Sequence, residues 1–451
     1  MGGLVVLGNS RAVPSRTGAV EVGPPPRFHF LAGDPPLVFV VESSRLFETT
    51  PEFFEELRNN AEVAEREMFD MMSAGRSRPS EYRPEQAIPS PTAISLNVAQ
   101  SCNLSCSYCY ADEGRFGGHA TMMTQEVARA AIDQLLENKK GQRATIGFIG
   151  GEPFLNRKLL YWAVDYAVSR GKEVGARVGF SVTTNGTLLT SEDLDLLRTN
   201  AFAVSVSLDG GAEVNDRERR GRHGERAFEL SVERLRPLLE APGRARITAR
   251  ATVTRRDLRV LERIESLIKA GFTEVGVAPL RTSPVAGLAV EEGDWPDFLA
   301  EMVRAGEAEL EELPRFGYLR FSNLAVALKQ IHAGYCKPLP CGSAASYVSV
   351  SARGEYFTCH RTVDDSRYLL GNTAQGLGSG PREDFLRARH VDRQEPCRTC
   401  WARYLCGGGC HAEVLSAGRS GCDYIRGWLE HCMRTYNRVL RDFPSLLETR
   451  N

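Results

Sequence analysis

The sequence predicts an α/β fold: a central parallel sheet or barrel, a small α+β module before it and a loop-rich region after it. Three observations carry this. Residues 93–280 alternate strand-like and helix-like segments, with six strands in all. Residues 73–92 carry four prolines and few large apolar residues, which marks a linker ahead of the alternation. From Cys336 onward glycine and cysteine crowd together. At 451 residues the chain exceeds what one hydrophobic core usually supports. The expected division is 1–90, 91–310 and 311–451.

Residues 1–26 are rich in Gly, Pro and Ser and predict little regular structure. Residues 27–57 predict two short strands around a Gly-Asp-Pro-Pro turn, then a helix continuing toward Met72. In the alternating region, strands are expected at 93–99, 144–150, 177–184, 202–208, 246–253 and 273–280. Helices are expected between them at 124–138, 156–170, 190–199, 225–239 and 257–270. Thr190 and Asp193 have the spacing of a helix N-cap pair. In parallel barrels chemistry gathers at the C-terminal ends of strands, and the unusual residues of this chain fall there. Residues 290–333 read as helical, and 346–359 as short strands.

The net charge is −1, so nothing global attracts nucleic acid or an anionic membrane. No stretch of eighteen apolar residues predicts a transmembrane helix. The N-terminus lacks the basic region of a signal peptide, and Val6 stands where a myristoylation signal needs Ser or Thr. A cytoplasmic protein is expected, and cytosolic cysteines in clusters bind metal or do chemistry rather than form disulfides.

The twelve cysteines are not scattered, as small buried hydrophobes would be. Cys102, Cys106 and Cys109 stand together. None follows until Cys336, after which come Cys341, Cys359, Cys397, Cys400, Cys406, Cys410, Cys422 and Cys432. The first group, CNLSCSYCY, follows a strand with the spacing C-x3-C-x2-C. Iron–sulfur clusters normally take four thiolates, so three ligands leave one iron open. A zinc reading needs a fourth ligand nearby, for which His119 is the local candidate.

This motif, with those that follow it, resembles the radical S-adenosylmethionine (SAM) superfamily. The resemblance implies a partial (β/α)6 TIM-like barrel and a 4Fe–4S cluster on Cys102, Cys106 and Cys109 whose open iron is chelated by SAM. Gly150-Gly151-Glu152-Pro153 resembles the family's GGEP motif, whose backbone and Glu carboxylate hold the SAM amino group. Thr183 and Asn185, in Thr183-Thr184-Asn185-Gly186, stand near the expected ribose. Ser207 and Arg219 match the pair that grips the SAM carboxylate, a task suited to an arginine fork. Tyr108 resembles the aromatic whose backbone meets adenine, and Pro279 and Leu280 are candidates for the far adenine wall.

The C-terminal block resembles the SPASM domain, which makes it a loop-rich iron–sulfur domain. Gly354 to Cys359 supplies its G-x4-C element, and CRTCWARYLCGGGC, from Cys397 to Cys410, its dense element. The resemblance implies two auxiliary 4Fe–4S clusters, three in all, with interleaved ligands. Cluster I takes Cys341, Cys359 and Cys410, with Cys336 as a possible fourth. Cluster II takes Cys397, Cys400, Cys406 and Cys422. Cys432 is left over, inside an expected helix. The three glycines before Cys410 let the backbone turn sharply beside a cluster.

Similar enzymes use a 5′-deoxyadenosyl radical to take hydrogen from carbon on a ribosomally made peptide or a protein side chain, with an electron donor such as flavodoxin or ferredoxin. The stretch from Phe357 to Arg361 resembles thioether-forming maturases. Alternatives are a sulfatase-maturing formylglycine-generating enzyme, a quinohemoprotein amine dehydrogenase maturase, and a non-enzymatic zinc scaffold for protein interaction. Sulfatase-maturing relatives place Asp after the G-x4-C cysteine, where this chain has His360. His360, Asp209 and Glu113 are the acid–base candidates. The N-terminal strands read either as a leader-peptide-binding module with an exposed sheet edge or as a packing extension.

Overall fold

The structure, a computed structural model, describes residues 26–60 and 90–447. The readings of residues 1–25, most of the linker, and the helix extension toward Met72 lie outside these residues. The N-terminal module holds three strands rather than two: β1 (Phe28–Leu31), β2 (Leu37–Val40) and β3 (Arg45–Glu48), in an antiparallel sheet of that order. The third strand, RLFE, is short and half polar, so its pattern is weak; pairing with β2 makes it a strand. The helix Pro51–Asn59 follows, its Thr50 cap accepting a hydrogen bond from the Phe53 N–H. Strand β2 buries both faces. Leu37, Phe39 and Val41 point into the main core, while Val38 and Val40 meet Phe54 and Leu57 in a smaller one.

Six parallel strands form the centre: β4 (Ala93–Ala99), β5 (Arg143–Gly150), β6 (Arg177–Thr184), β7 (Ala203–Ser207), β8 (Arg246–Val253) and β9 (Val275–Pro279). They pair in chain order, β4 through β9. Between them run the helices Gln125–Leu136, Arg157–Val174, Ser191–Thr199, Ala227–Glu240 and Leu261–Lys269, with a short extra helix Ala212–Glu218. Thr190 and Asp193 form a full capping box, as their spacing predicts. The expected helical stretch 290–333 is two helices, Trp295–Phe316 and Ser322–His332. Gly317, in the left-handed conformation at φ 71°, ends the first.

The expected boundary between residues 310 and 311 falls inside the helix Trp295–Phe316, so the chain does not divide there. The sheet does not stop at six strands either. Strand β10 (Tyr347–Val350) pairs parallel with β4, placing Val348 beside Ile94 and Val350 beside Leu96. Strands β11 (Glu355–Phe357), β12 (Leu369–Asn372) and β13 (Gly376–Leu377) extend it antiparallel to ten strands. One core runs through Leu31 and Phe39, the strands Ile94–Val277, and Tyr404, Trp428 and Cys432 of the C-terminal region. Loops rich in cysteine have little apolar area of their own, so they share the barrel's core.

The N-terminal module is bolted to that C-terminal region. His29 stacks on Trp401 at 3.8 Å and meets Glu430 at 3.0 Å. Arg434 donates to the Ala32 carbonyl and Asn437 to Glu48, both from the long helix Cys422–Asp442.

Candidate functional site

A cavity of about 350 Å³ opens at the C-terminal ends of β4 to β9. Its first wall is the loop after β4 with Cys102, Cys106, Tyr108 and Cys109. This loop is held from behind by the basic run that follows β7. Ser105 and Ser107 donate backbone N–H groups to the carbonyls of Arg220 and Glu218, and the Ser107 hydroxyl bonds the Glu218 carboxylate. The run is therefore a brace, with Arg219 turned into the cavity.

Gly150 and Gly151 line the cavity where β5 passes the start of the cysteine loop. A Cβ on Gly150 would lie 2.2 Å from the Ala99 carbonyl oxygen, and one on Gly151 2.2 Å from that of Ser101. Only glycine permits that approach. Glu152 departs from expectation. It is fully buried and outside the cavity lining. Its carboxylate accepts from the Thr184 hydroxyl (2.8 Å), the Asn185 N–H (2.8 Å) and the Phe154 N–H (3.2 Å). With both oxygens engaged it ties the ends of β5 and β6 together, and its burial raises its pKa to about 7 despite those bonds. Pro153 is likewise buried, opening the turn Pro153–Asn156 outside the lining.

Thr183, Asn185 and Ser207 reach the cavity from β6 and β7. The Asn185 amide donates to Asn103 at 3.0 Å and to the Cys102 sulfur at 3.8 Å. Arg219 lines the cavity, paired with Asp209 at 3.0 Å and stacked over the Tyr108 ring at 5.3 Å. Tyr108, Leu280 and Leu288 make a small apolar patch.

Two acid–base candidates stand elsewhere. Asp209 is 1% exposed, and its carboxylate is spent on Arg219, the Tyr108 hydroxyl and the Thr252 N–H, so it organises the strand ends rather than facing the cavity. Glu113 lies in a surface loop, paired with Arg115 and Arg222. His360 does line the cavity, 3.0 Å from the Tyr347 hydroxyl. Burial and the Arg361 charge lower its pKa to about 4, so it is neutral near pH 7.

The cavity also holds residues absent from the sequence reading: Arg250 further along β8, and Tyr110, Arg281, Arg361 as a cavity group, and Glu413 at its outer end. Arg361 donates to Glu413 at 2.7 Å and lies over Tyr110 at 4.8 Å. Arg281 meets the other Glu413 oxygen at 3.6 Å and donates to the Ser420 carbonyl at 2.7 Å. Tyr110, Arg361 and Glu413 stand beside cysteines in the chain, which is a usable signal. Arg250 and Arg281 are legible only once strand ends are drawn.

The structure sorts the remaining cysteines. Burial raises the Cys397 thiol to about 11, with Cys406, Cys400 and Cys422 adding to the effect, so these four share one neighbourhood. They line a second cavity of about 600 Å³, together with Phe28 and His29 of β1. Burial also raises Cys341, and the cysteines adding to it are Cys410 and Cys359. Cys410 lines the second cavity too and also acts on Cys341, so the last cysteine of the dense motif stands between the two groups. Gly407, Gly408 and Gly409 all have positive φ (72°, 89° and 78°), and the last two turn their N–H groups onto the Cys406 sulfur. Cys336 has further neighbours of its own. Burial raises its thiol to about 12, and the groups acting on it most are Ser44, Asp392, Arg403 and Glu42. Cys432 is 0% exposed within the helix Cys422–Asp442.

No group of three His, Cys, Asp or Glu side chains among the described residues closes on one point at metal-ion distance. Cys102, Cys106 and Cys109 line one cavity and Cys397, Cys400, Cys406 and Cys422 another, as a multi-iron cluster requires and a single zinc at about 2.3 Å from each sulfur does not. Burial holds Cys102 at about 12 and Cys106 at about 11, and a metal ligand must lose its proton. The positive charge of iron would supply that compensation. Donors already aim at the sulfurs: the Leu104 N–H at Cys102 (3.4 Å) and the Thr362 hydroxyl at Cys359 (3.8 Å). The donor set fits an iron–sulfur group.

Residues 96–262 match the family model described as Radical SAM superfamily. The chain is 26% identical to an uncharacterized protein of Archaeoglobus fulgidus, covering 71% of this chain and 74% of that one. It is 23% identical to a serine-type anaerobic sulfatase-maturating enzyme of Bacteroides thetaiotaomicron, covering 74% and 86%. Its fold matches a solved structure described as native anSMEcpe with bound AdoMet, at TM-score 0.65 and 18% identity over 78% of this chain and all of that one. No helix among the described residues is long and apolar enough to cross a membrane.

Proposed function

The chain is an enzyme carrying a Radical SAM superfamily domain over residues 96–262, and from that premise we propose that it modifies a side chain of a peptide or protein by hydrogen abstraction from carbon. One observation carries the proposal: a single cavity joins the three-cysteine loop, the strand-end residues and a polar outer end beside the Cys359 set. Tyr110 marks the junction, since it lies within the field of both Cys109 and Cys359.

Cys102, Cys106 and Cys109 would hold a 4Fe–4S cluster. With SAM bound, that group supplies a 5′-deoxyadenosyl radical on one-electron reduction. The chain's own residues orient the partners. The Gly150–Gly151 backbone and Asn185 would face SAM, and Ser207 with Arg219 would take its carboxylate. Tyr108 and Leu280 offer the apolar surface for adenine. Glu152 and Asp209 hold the strand ends that carry these groups. Neutral His360, bonded to Tyr347, is the one acid–base candidate that faces the cavity. Cys341, Cys359 and Cys410 would hold auxiliary cluster I, and Cys397, Cys400, Cys406 and Cys422 cluster II. These would take the electron left on the substrate, and flavodoxin or ferredoxin would supply the first.

Within this class we favour a thioether or other side-chain cross-link, on the motif around Cys359. The second reading, oxidation of Ser or Cys to formylglycine, is supported by the relatives named as sulfatase-maturating enzymes across most of their length. His360 in place of the Asp after the G-x4-C cysteine weighs against it.

Anaerobically purified protein should contain iron. Replacing Cys102, Cys106 and Cys109 with Ala should abolish 5′-deoxyadenosine formation from SAM. Zinc without iron, or SAM cleavage that survives the triple change, would refute the assignment. Mass spectrometry of a peptide encoded beside the gene separates the finer readings. Loss of two hydrogens with a blocked thiol means a thioether, and a new aldehyde means formylglycine.

A further inference from the structure

We infer that Arg250, with Ser322 beside it, forms a carboxylate-binding end of the substrate cavity, so that the peptide taken by this enzyme presents an anionic group there. The inference rests on the radical SAM reading of the same cavity and names the substrate chemistry that reading leaves open.

Four arginines line the cavity: Arg219, Arg250, Arg281 and Arg361. Three are already matched within the protein. Arg219 pairs with Asp209, and Arg281 and Arg361 share the two oxygens of Glu413. The Arg250 side chain makes no hydrogen bond or ion pair with any described residue, and it is exposed and lines the cavity. The other three each have an internal carboxylate partner, two carboxylates among three arginines, so Arg250 alone keeps a free guanidinium, whose five donors suit a carboxylate.

The site around it is shaped for this. Arg250 lies in the middle of β8, directly paired with Gly276 of β9. A Cβ at Gly276 would fall 2.3 Å from Arg250 Nη1 and 2.6 Å from Ser322 Oγ. Any side chain there would displace both, so glycine makes the notch in which they sit. Ser322 is 4% exposed, and its hydroxyl has no hydrogen-bond partner among the described residues. A buried hydroxyl without a partner is costly, and it stands beside the free cation at the same point. Two residues along β8, the Thr252 N–H is held by Asp209, which also holds Arg219. The strand carrying Arg250 is therefore locked in register with the expected SAM contacts.

A carboxylate can reach this site from three sources: an acidic side chain of the peptide, the peptide's C-terminus, or SAM itself. We assign it to the peptide, because Arg219 meets Asp209 through Nε alone and so keeps its terminal nitrogens, with Ser207, for SAM. The test uses anaerobically reconstituted holoenzyme and a mixed library of short synthetic peptides with a central cysteine. The library is made in matched forms: acidic side chains, their amide counterparts, and free or amidated C-termini. The readout is 5′-deoxyadenosine yield over the peptide-free rate, with SAM affinity measured separately. A carboxylate-bearing form should stimulate at least tenfold more than its amide twin. R250Q should erase that difference while SAM affinity stays within twofold of wild type, and S322A should reduce it in part. Which form stimulates tells side chain from C-terminus. Equal stimulation by the twins, including none by either, overturns the inference. So does a tenfold loss of SAM affinity in R250Q, which would give Arg250 to SAM. Failure of the radical SAM reading itself would look different: no 5′-deoxyadenosine from wild type without peptide.

Discussion

Glu152 and Cys336 show how much the surroundings add to residue type and position at the smallest scale. Glu152 belongs to a motif whose chemistry is that of a ligand contact, yet three donors claim its carboxylate. E152A should leave those donors unmatched and cost about 2 kcal/mol or more. A lower thermal midpoint, with SAM affinity reduced only as far as the fold loosens, is the expected result. Cys336 precedes Cys341 by five residues but faces Ser44 and Arg403. C336A should therefore keep the full iron content of anaerobically purified protein, whereas C422A should lose iron. An equal loss in both would return Cys336 to the ligand set. The cysteines themselves were plain in the sequence because their spacing is local. Their grouping was not, because it depends on which way each thiol turns after the chain folds back.

At the scale of elements, the strands were legible nearly to the residue. β6 and β8 begin and end where their apolar alternation does. β3 was missed, since four residues with charges at both ends carry little pattern. The glycine run after Cys406 was read as a sharp turn beside a cluster, and its three positive φ values give that turn a physical basis. G407A should be severe. The left-handed conformation costs a non-glycine residue roughly 1–2 kcal/mol, and the new Cβ would meet Pro340 Cα at 2.4 Å. Lower iron content per chain checks it. β1 contributes Phe28 and His29 to the cavity of the Cys397 set, with His29 flat on Trp401. H29A should open that cavity to water, and faster iron loss in air is the measurement.

For the whole molecule, the three expected regions are real as stretches of sequence but not as separate bodies. β10 completes one side of the sheet against β4, and one hydrophobic core spans all three regions. Residues 91–310 expressed alone would leave β4 as an open edge and cut the helix Trp295–Phe316. That fragment should aggregate, while the full chain stays in solution, as size-exclusion chromatography under anaerobic conditions will tell.

The α/β class, the six central strands, the three-cysteine loop and the crowding of the other cysteines are all legible in the chain before it folds. Each of these is a local pattern, set by side-chain period or by spacing of a few residues. Packing settles what lies beyond that reach: which cysteines stand near one another, that the Asp209 and Glu152 carboxylates are spent on the strand ends, and that the Arg250 side chain stands unpaired over Gly276. Those outcomes depend on the register between strands and on the competition of partners for each charge. Both arise only when distant segments are packed together.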